Sequence, residues 1–219
     1  MRQSEICCIV VRTLLAATMS AGLLLPLAAS AESSGFELTP FVAQRVGGSF
    51  EDSDSGTKYD LDSSSSYGFL LGMPWESNSQ LELYYSKQST DLDDAGFISG
   101  GDKIGIDLDT LQIGGSVFLE PRGKVIPFFS GTFGGTRIKP DGPGTKSDTF
   151  FSASLGGGWK YFPTDKFGLR LEGRFIGVLI DSNSKIFCAS GPGGSGCIIN
   201  SSGDVLWQFE AQAGVIFRF

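Results

Sequence analysis

The stretch Trp207-Gln-Phe-Glu-Ala-Gln-Ala-Gly-Val-Ile-Phe-Arg-Phe219 alternates apolar and polar residues with a period of two. The apolar positions are Trp207, Phe209, Ala211, Ala213, Val215, Phe217 and Phe219. The intervening positions are Gln208, Glu210, Gln212, Gly214 and Arg218, with Ile216 as the one apolar exception. This alternation predicts a β-strand with one apolar face and one polar face.

The same alternation recurs upstream and predicts eight strands, at roughly 36–47, 65–75, 80–90, 106–119, 125–137, 149–162, 167–180 and 205–219. Short and long connections alternate between them. The long ones, near 48–64, 91–105, 138–148 and 181–204, are rich in Gly, Ser and Asp. Short turns on one side and long loops on the other are typical of membrane barrels. We therefore predict an all-β fold, an eight-stranded antiparallel up-and-down transmembrane β-barrel.

Aromatic placement favours a membrane barrel over a soluble periplasmic barrel, in which these residues would be ordinary core aromatics. The aromatic residues near the short turns and the C-terminus are Trp75, Trp159, Tyr161, Phe162, Phe167, Phe217 and Phe219. An aromatic girdle lies at this level in a membrane barrel. An even number of strands also places both ends of the barrel on the short-turn side.

Residues 1–31 are predicted to be a cleaved signal peptide, which leaves residues 32–219 as the barrel domain. Arg2 and Arg12 precede an apolar run from Leu14 to Ala28, and Ala29-Ser30-Ala31 is a small-x-small cleavage pattern. An uncleaved membrane anchor is the alternative. We expect export through the Sec pathway.

The strand Ser154-Leu-Gly-Gly-Gly-Trp-Lys-Tyr-Phe162, its turn and the following Phe167-Gly-Leu-Arg-Leu-Glu-Gly-Arg-Phe175 resemble the small outer-membrane β-barrel family typified by the OmpA transmembrane domain. The terminal strand resembles the family's assembly signal, with Phe219 as its last residue. The resemblance implies a Gram-negative outer membrane, contact with its lipid and lipopolysaccharide, and insertion by the barrel-assembly machinery. We expect a monomer without a periplasmic peptidoglycan-binding domain.

Composition argues against several functional classes. The chain has no His, which similar outer-membrane enzymes use as a general base, so we expect no enzymatic activity. Without Arg2, Glu5 and Arg12, the mature part has 15 basic and 23 acidic residues, which disfavours nucleic-acid binding. We found no phosphate-binding loop and no Cys and His set for a metal, so no cofactor is expected.

The candidate functional residues are charges on the polar face of the strands: Glu37, Arg45, Glu82, Lys160, Arg170, Glu172, Arg174, Glu210 and Arg218. Charges enclosed in a narrow lumen must pair. They predict either a structural salt-bridge plug or a narrow channel for ions or small solutes. Bulky Phe41, Tyr84 and Phe128 favour the plug, whereas the inward glycines 114, 134, 156, 158 and 214 favour a conduit.

The long loops leave further alternatives. Cys188 and Cys197 lie in the last one and predict a disulfide, with two free thiols as the alternative. The acidic first two loops predict a solvated face, cation bridging to lipopolysaccharide, or adhesion. We favour a structural and surface-interaction role. The ligand, the surface partner and the exact strand register do not follow from the sequence.

Overall fold

The computed structural model describes residues 35–51, 58–92, 104–141, 147–180, 188–191, 194–197 and 205–219. The predicted signal peptide, residues 1–31, lies outside the described residues. Within the described ranges, no helix is long and apolar enough to cross a membrane.

Eight long strands form one closed antiparallel barrel, as predicted. They are β1 (Glu37–Val46), β4 (Ser64–Glu76), β5 (Ser79–Leu92), β6 (Ile104–Phe118), β7 (Val125–Pro140), β8 (Asp148–Tyr161), β9 (Phe167–Leu179) and β12 (Val205–Arg218). Each strand pairs with its neighbours along the barrel sequence, and β12 pairs with β1. Two short hairpins, which the sequence did not predict, lie in the long connections: β2 (Ser49–Glu51) with β3 (Lys58–Asp60), and β10 (Cys188–Gly191) with β11 (Gly194–Cys197).

Closure of the barrel occurs between its first and last long strands. Their ladder runs from Glu37 opposite Arg218 to Val46 opposite Phe209. The Phe219 amide donates to the Phe36 carbonyl at 3.0 Å, so both ends of the barrel meet on the short-turn side. Closure leaves no edge strand with unpaired backbone groups, which hydrocarbon would not tolerate.

The barrel is apolar outside and polar inside. Leu155 on the outer face is 72% exposed, whereas Arg174 on the inner face is 0% exposed. A water-soluble barrel would have the opposite arrangement, so this surface is suited to lipid. Trp75, Trp159 and Phe167 are exposed near the short turns, where the girdle was expected. Phe162 differs, because its ring lies under the Arg218 guanidinium, 3.9 Å away.

The alternation changes phase towards the long-loop end of β6 and β7. On β6, Leu111 and Ile113 face outward and are exposed, but Ile106 and Leu108 face inward and are buried. The outward positions beside these two buried residues are Asp107 and Asp109. A strand with a polar outside and an apolar inside is suited to water and not to lipid. On β5 the outward face becomes polar as well, while its inward face stays polar. These three strands therefore extend beyond the hydrocarbon layer.

Candidate functional site in the barrel lumen

All nine predicted charges lie on the inner face of the barrel. Eight of them are buried, and Arg218 at the end of β12 has a side chain that is 30% exposed. Strand pairing places Lys160 opposite Arg170 and Glu210 opposite Arg174. The charges form three groups, which follow one another from the short-turn end towards the long-loop end.

The lowest group closes the short-turn mouth around Glu37. Lys160 donates to one oxygen of Glu37 at 2.7 Å, and Arg218 donates to the other at 2.7 Å. Lys160 also donates to the Gln80 side-chain oxygen at 3.0 Å. The Glu37 carboxylate is therefore shared by Arg218 from the adjacent strand β12 and Lys160 from β8, which is not adjacent to β1.

The middle group is centred on Arg170. Its guanidinium forms a bidentate pair with Glu82, at 2.7 and 3.1 Å, and a second ion pair with Glu172 at 2.7 Å. Arg174 donates to the other oxygen of Glu172 at 2.9 Å. The ring of Phe128 lies 4.4 Å from the Arg170 guanidinium carbon and covers its face. Two carboxylates and two guanidiniums thus neutralise one another across the lumen.

The upper group joins Arg45 to Glu210. Two Arg45 nitrogens donate to one Glu210 oxygen, at 2.9 and 2.6 Å, and the Tyr84 hydroxyl donates to the other at 2.7 Å. Arg45 also donates to Ser86 at 2.8 Å and to Gln88 at 3.1 Å. The pair is therefore hydrogen-bonded on nearly every side, as a buried ion pair requires.

The inward glycines lie against neighbouring strands. A methyl group at Gly156 would lie 2.6 Å from a Glu172 oxygen and 2.7 Å from the Ser130 hydroxyl, on the two adjacent strands. A methyl group at Gly214 would lie 2.8 Å from the Thr39 methyl. At the other three inward glycines, 114, 134 and 158, it would meet the backbone of an adjacent strand. The presence of these glycines is therefore not a sign of empty space.

An apolar layer fills the lumen above the charges, and sequence reasoning missed it. Its nine members are between 0 and 7% exposed: Leu61, Ile106, Leu108, Ile138, Phe150, Ile176, Val178, Ile180 and Leu206. The signal in the sequence was the phase change of the alternation, which makes inward positions apolar near the long loops. The layer separates the paired charges from the long-loop end of the barrel.

The hydroxyl and amide partners of the charges were also missed by sequence reasoning. Thr132 and Ser154 each donate to the Gln112 side-chain oxygen at 2.8 Å, and Arg174 donates to both hydroxyls. Inward Ser and Thr at alternate positions were the signal. Among the described residues, no group of His, Cys, Asp and Glu has the arrangement of a metal site.

A closed barrel with a lipid-suited exterior and a charged interior defines an integral membrane β-barrel. Residues 13–219 match the family model for the outer membrane protein beta-barrel domain, and the chain belongs to this family. It is a protein of the Gram-negative outer membrane.

Solved structures of outer-membrane barrels are similar to this chain. Neisserial surface protein A has a TM-score of 0.55 at 14% identity, covering 85% of this chain and 98% of that protein. OprG from Pseudomonas aeruginosa has a TM-score of 0.56 at 11% identity, covering 85% and 97%. AlkL in lipid bilayers has a TM-score of 0.50 at 13% identity, covering 89% and 94%. These identities show a shared fold alone. No curated protein sequence matches the chain.

Proposed function

We propose that this protein is a sealed membrane anchor, which maintains the outer membrane and presents its long loops for contacts at the cell surface. The observation that carries the proposal is the filled lumen: each of the nine charges forms an ion pair or shares one, and the apolar layer lies above them. An eight-stranded barrel has room for side chains and little else. The barrel then contributes stability, and the loops contribute recognition.

We also propose that the protein is not an enzyme. The chain has no His, and the lumen carboxylates are held in ion pairs by Arg and Lys. Glu82 accepts from Arg170 and Ser116, which occupies its oxygens in a structural role. A general base needs an oxygen or nitrogen within reach of a substrate proton.

Single-channel conductance of the purified protein in a planar bilayer tests the sealed lumen. We expect no current through the bilayer from protein whose folding is shown by the mobility difference between unheated and boiled samples on a detergent gel. Two variants on the same strand form a matched pair. Ile176→Ser places a polar side chain in the apolar layer, and Phe175→Ser places the same side chain on the lipid face. Steady openings of the wild-type protein that shift when Arg170 is neutralised would instead establish a channel.

A narrow channel is the second candidate function, and one observation favours it. Arg174 Nε and the side-chain oxygens of Gln208 and Gln212 are buried without a hydrogen-bond partner. Buried polar groups are normally satisfied by protein or by water, so water entering the lumen would satisfy these three. The apolar layer would then act as a hydrophobic gate, which opens only when it is wetted.

We propose that Cys188 and Cys197 form a disulfide across the β10–β11 hairpin. The two residues lie directly opposite each other in the ladder. Opposed residues in antiparallel strands have Cα atoms about 4.5–5.5 Å apart, within the range that disulfides use. Mass spectrometry of a non-reduced digest should contain the linked peptide, and recovery of both residues as free thiols would contradict the pairing.

We further propose that residues 1–31 are a Sec signal peptide, and that the barrel-assembly machinery inserts the remaining chain as a monomer. The alternation that ends at Phe219 supports recognition by that machinery. The closed barrel supports the monomer, because its eight strands leave no edge that another copy would need to cover.

A further inference from the structure

Three cationic side chains occupy outward positions towards the long-loop ends of β5 and β7. They are Lys87, Arg137 and Lys139, and two acids of β6 lie between them. The strand register places Asp109 opposite both Lys87 and Arg137, and Asp107 opposite Lys139. The five side chains therefore form one patch on the outer wall, which we call the β5–β7 charge patch.

The acids of the β5–β7 charge patch neutralise only part of its positive charge. Lys87 is 3.6 Å from one Asp107 oxygen, and the Ser89 hydroxyl donates to the other at 2.6 Å. Asp109 accepts from the Tyr85 hydroxyl at 3.4 Å. Arg137 donates to the Ser147 hydroxyl at 2.9 Å. Neither Arg137 nor Lys139 forms an ion pair within the described part of the chain, and both are exposed. The patch therefore has three cations against two carboxylates, and Asp107 is shared between Lys87 and Lys139, so positive charge is left over for an external anion.

The patch lies at the height of lipid headgroups. Phe129 and Phe133 are exposed on the lipid face of β7, and Arg137 follows Phe133 on the same face after four residues. Four residues span about 13 Å along a strand, or about 10 Å along the membrane normal once the strand tilt is included. The cations are therefore just outside the hydrocarbon and beside the outermost lipids.

We propose that Arg137 and Lys139 bind the phosphate group of an outer-leaflet lipid, the lipid A part of lipopolysaccharide. Guanidinium donors match phosphate oxygens in a bidentate geometry, and an ammonium adds a point charge. The two residues are two positions apart on one face, about 7 Å along the strand, so one phosphate is within reach of both. The site depends on the outer-membrane location and is independent of whether the lumen conducts.

Native mass spectrometry of the full protein in detergent micelles tests this site. The probes are bisphosphorylated lipid A, the same lipid with both phosphates removed, and inorganic phosphate. The test variant is Arg137→Gln/Lys139→Gln. The matched control is Arg122→Gln/Lys124→Gln, which removes two exposed cations with the same spacing at the opposite end of the barrel. A third variant, Arg137→Lys/Lys139→Arg, keeps both charges. Folding of each is checked by the mobility difference between unheated and boiled samples.

We expect the wild-type protein and the control to bind bisphosphorylated lipid A equally well. Affinity should fall roughly tenfold when the phosphates are removed from the lipid, and by a similar factor when the two charges are removed from the protein. The reason is that the loss of one charge-assisted hydrogen bond changes an affinity by about that factor. The charge-keeping variant should retain binding. Equal binding by the test variant, or by the dephosphorylated lipid, would overturn the site. Inorganic phosphate that binds as tightly as lipid A would overturn the lipid source.

Discussion

At the scale of single residues, Glu210 shows how a lumen charge is held. It accepts hydrogen bonds from Arg45, Tyr84 and Ser66, all contributed by strands other than its own. Burying either the Arg45 or the Glu210 charge alone would destabilise the fold, but the two charges compensate each other when they are paired. The ion pair therefore couples β12 to β1, and the tyrosine extends the coupling to β5.

We predict that Glu210→Leu destabilises the barrel by about 3–5 kcal/mol, because Arg45 is then buried without an anion. The double variant Arg45→Leu/Glu210→Leu should recover most of this loss, since it removes the orphaned charge. The measurement is the urea concentration at which the folded gel band is lost. Lys87→Gln, which breaks an exposed pair, serves as the control and should change the midpoint far less. A Glu210→Leu midpoint equal to that of this control would refute the argument.

The sequence predicted which charges face the lumen, but not their partners. Alternation alone identifies an inward residue, and that sufficed for Arg45, Glu82 and Glu210. The partners depend on register and barrel diameter: Arg45 and Glu210 are separated by 165 residues, and their distance is set only when β1 pairs with β12. The same limit led to glycines being interpreted as space, although neighbouring side chains fill the volume beside Gly156.

At the scale of strands, the eight predicted segments match the observed long strands closely because each has one face in lipid. The short hairpins were missed because three or four residues, such as Ser49–Glu51, are too few for a period to be recognised. The phase change on β6 and β7 was missed for another reason. Beyond the phase change, the apolar residues of the strand face the lumen and the polar residues face outward. This becomes evident only when the buried positions are known.

The phase change predicts where the hydrocarbon ends on β6 and β7. In spin-labelled single-cysteine variants, the Ile113→Cys label should collide mainly with oxygen, which concentrates in lipid. The Lys139→Cys label should collide mainly with a water-soluble nickel complex. The Phe133→Cys label is an internal reference, since its residue shares a strand with Lys139 and a lipid-facing environment with Ile113. Oxygen accessibility that is equal at Lys139 and Phe133 would place the boundary higher and remove the basis of the lipid phosphate site.

At the scale of the whole molecule, closure joins the last strand made to the first. The β1–β12 ladder can form only after every other barrel strand has been synthesised, because these two strands are the first and the last of the barrel in the sequence. Phe219 lies at that seam, where its ring stacks on Phe36 with centroids 6.5 Å apart. Its side chain is 55% exposed, so burial alone does not explain why a phenylalanine occupies this position.

We predict that Phe219→Ala slows assembly in cells while leaving the stability of the folded barrel nearly unchanged. The measurement is the time course of the heat-sensitive folded band after pulse labelling, combined with the urea midpoint of the purified protein. Phe167→Ala is the matched control, because Phe167 is an equally exposed girdle aromatic at the same end of the barrel. If Phe219 is an assembly signal, the assembly rate should fall for Phe219→Ala and not for Phe167→Ala. If both variants slow assembly equally, Phe219 acts only as one more interfacial aromatic, and recognition by the assembly machinery must depend on the alternation of β12 as a whole.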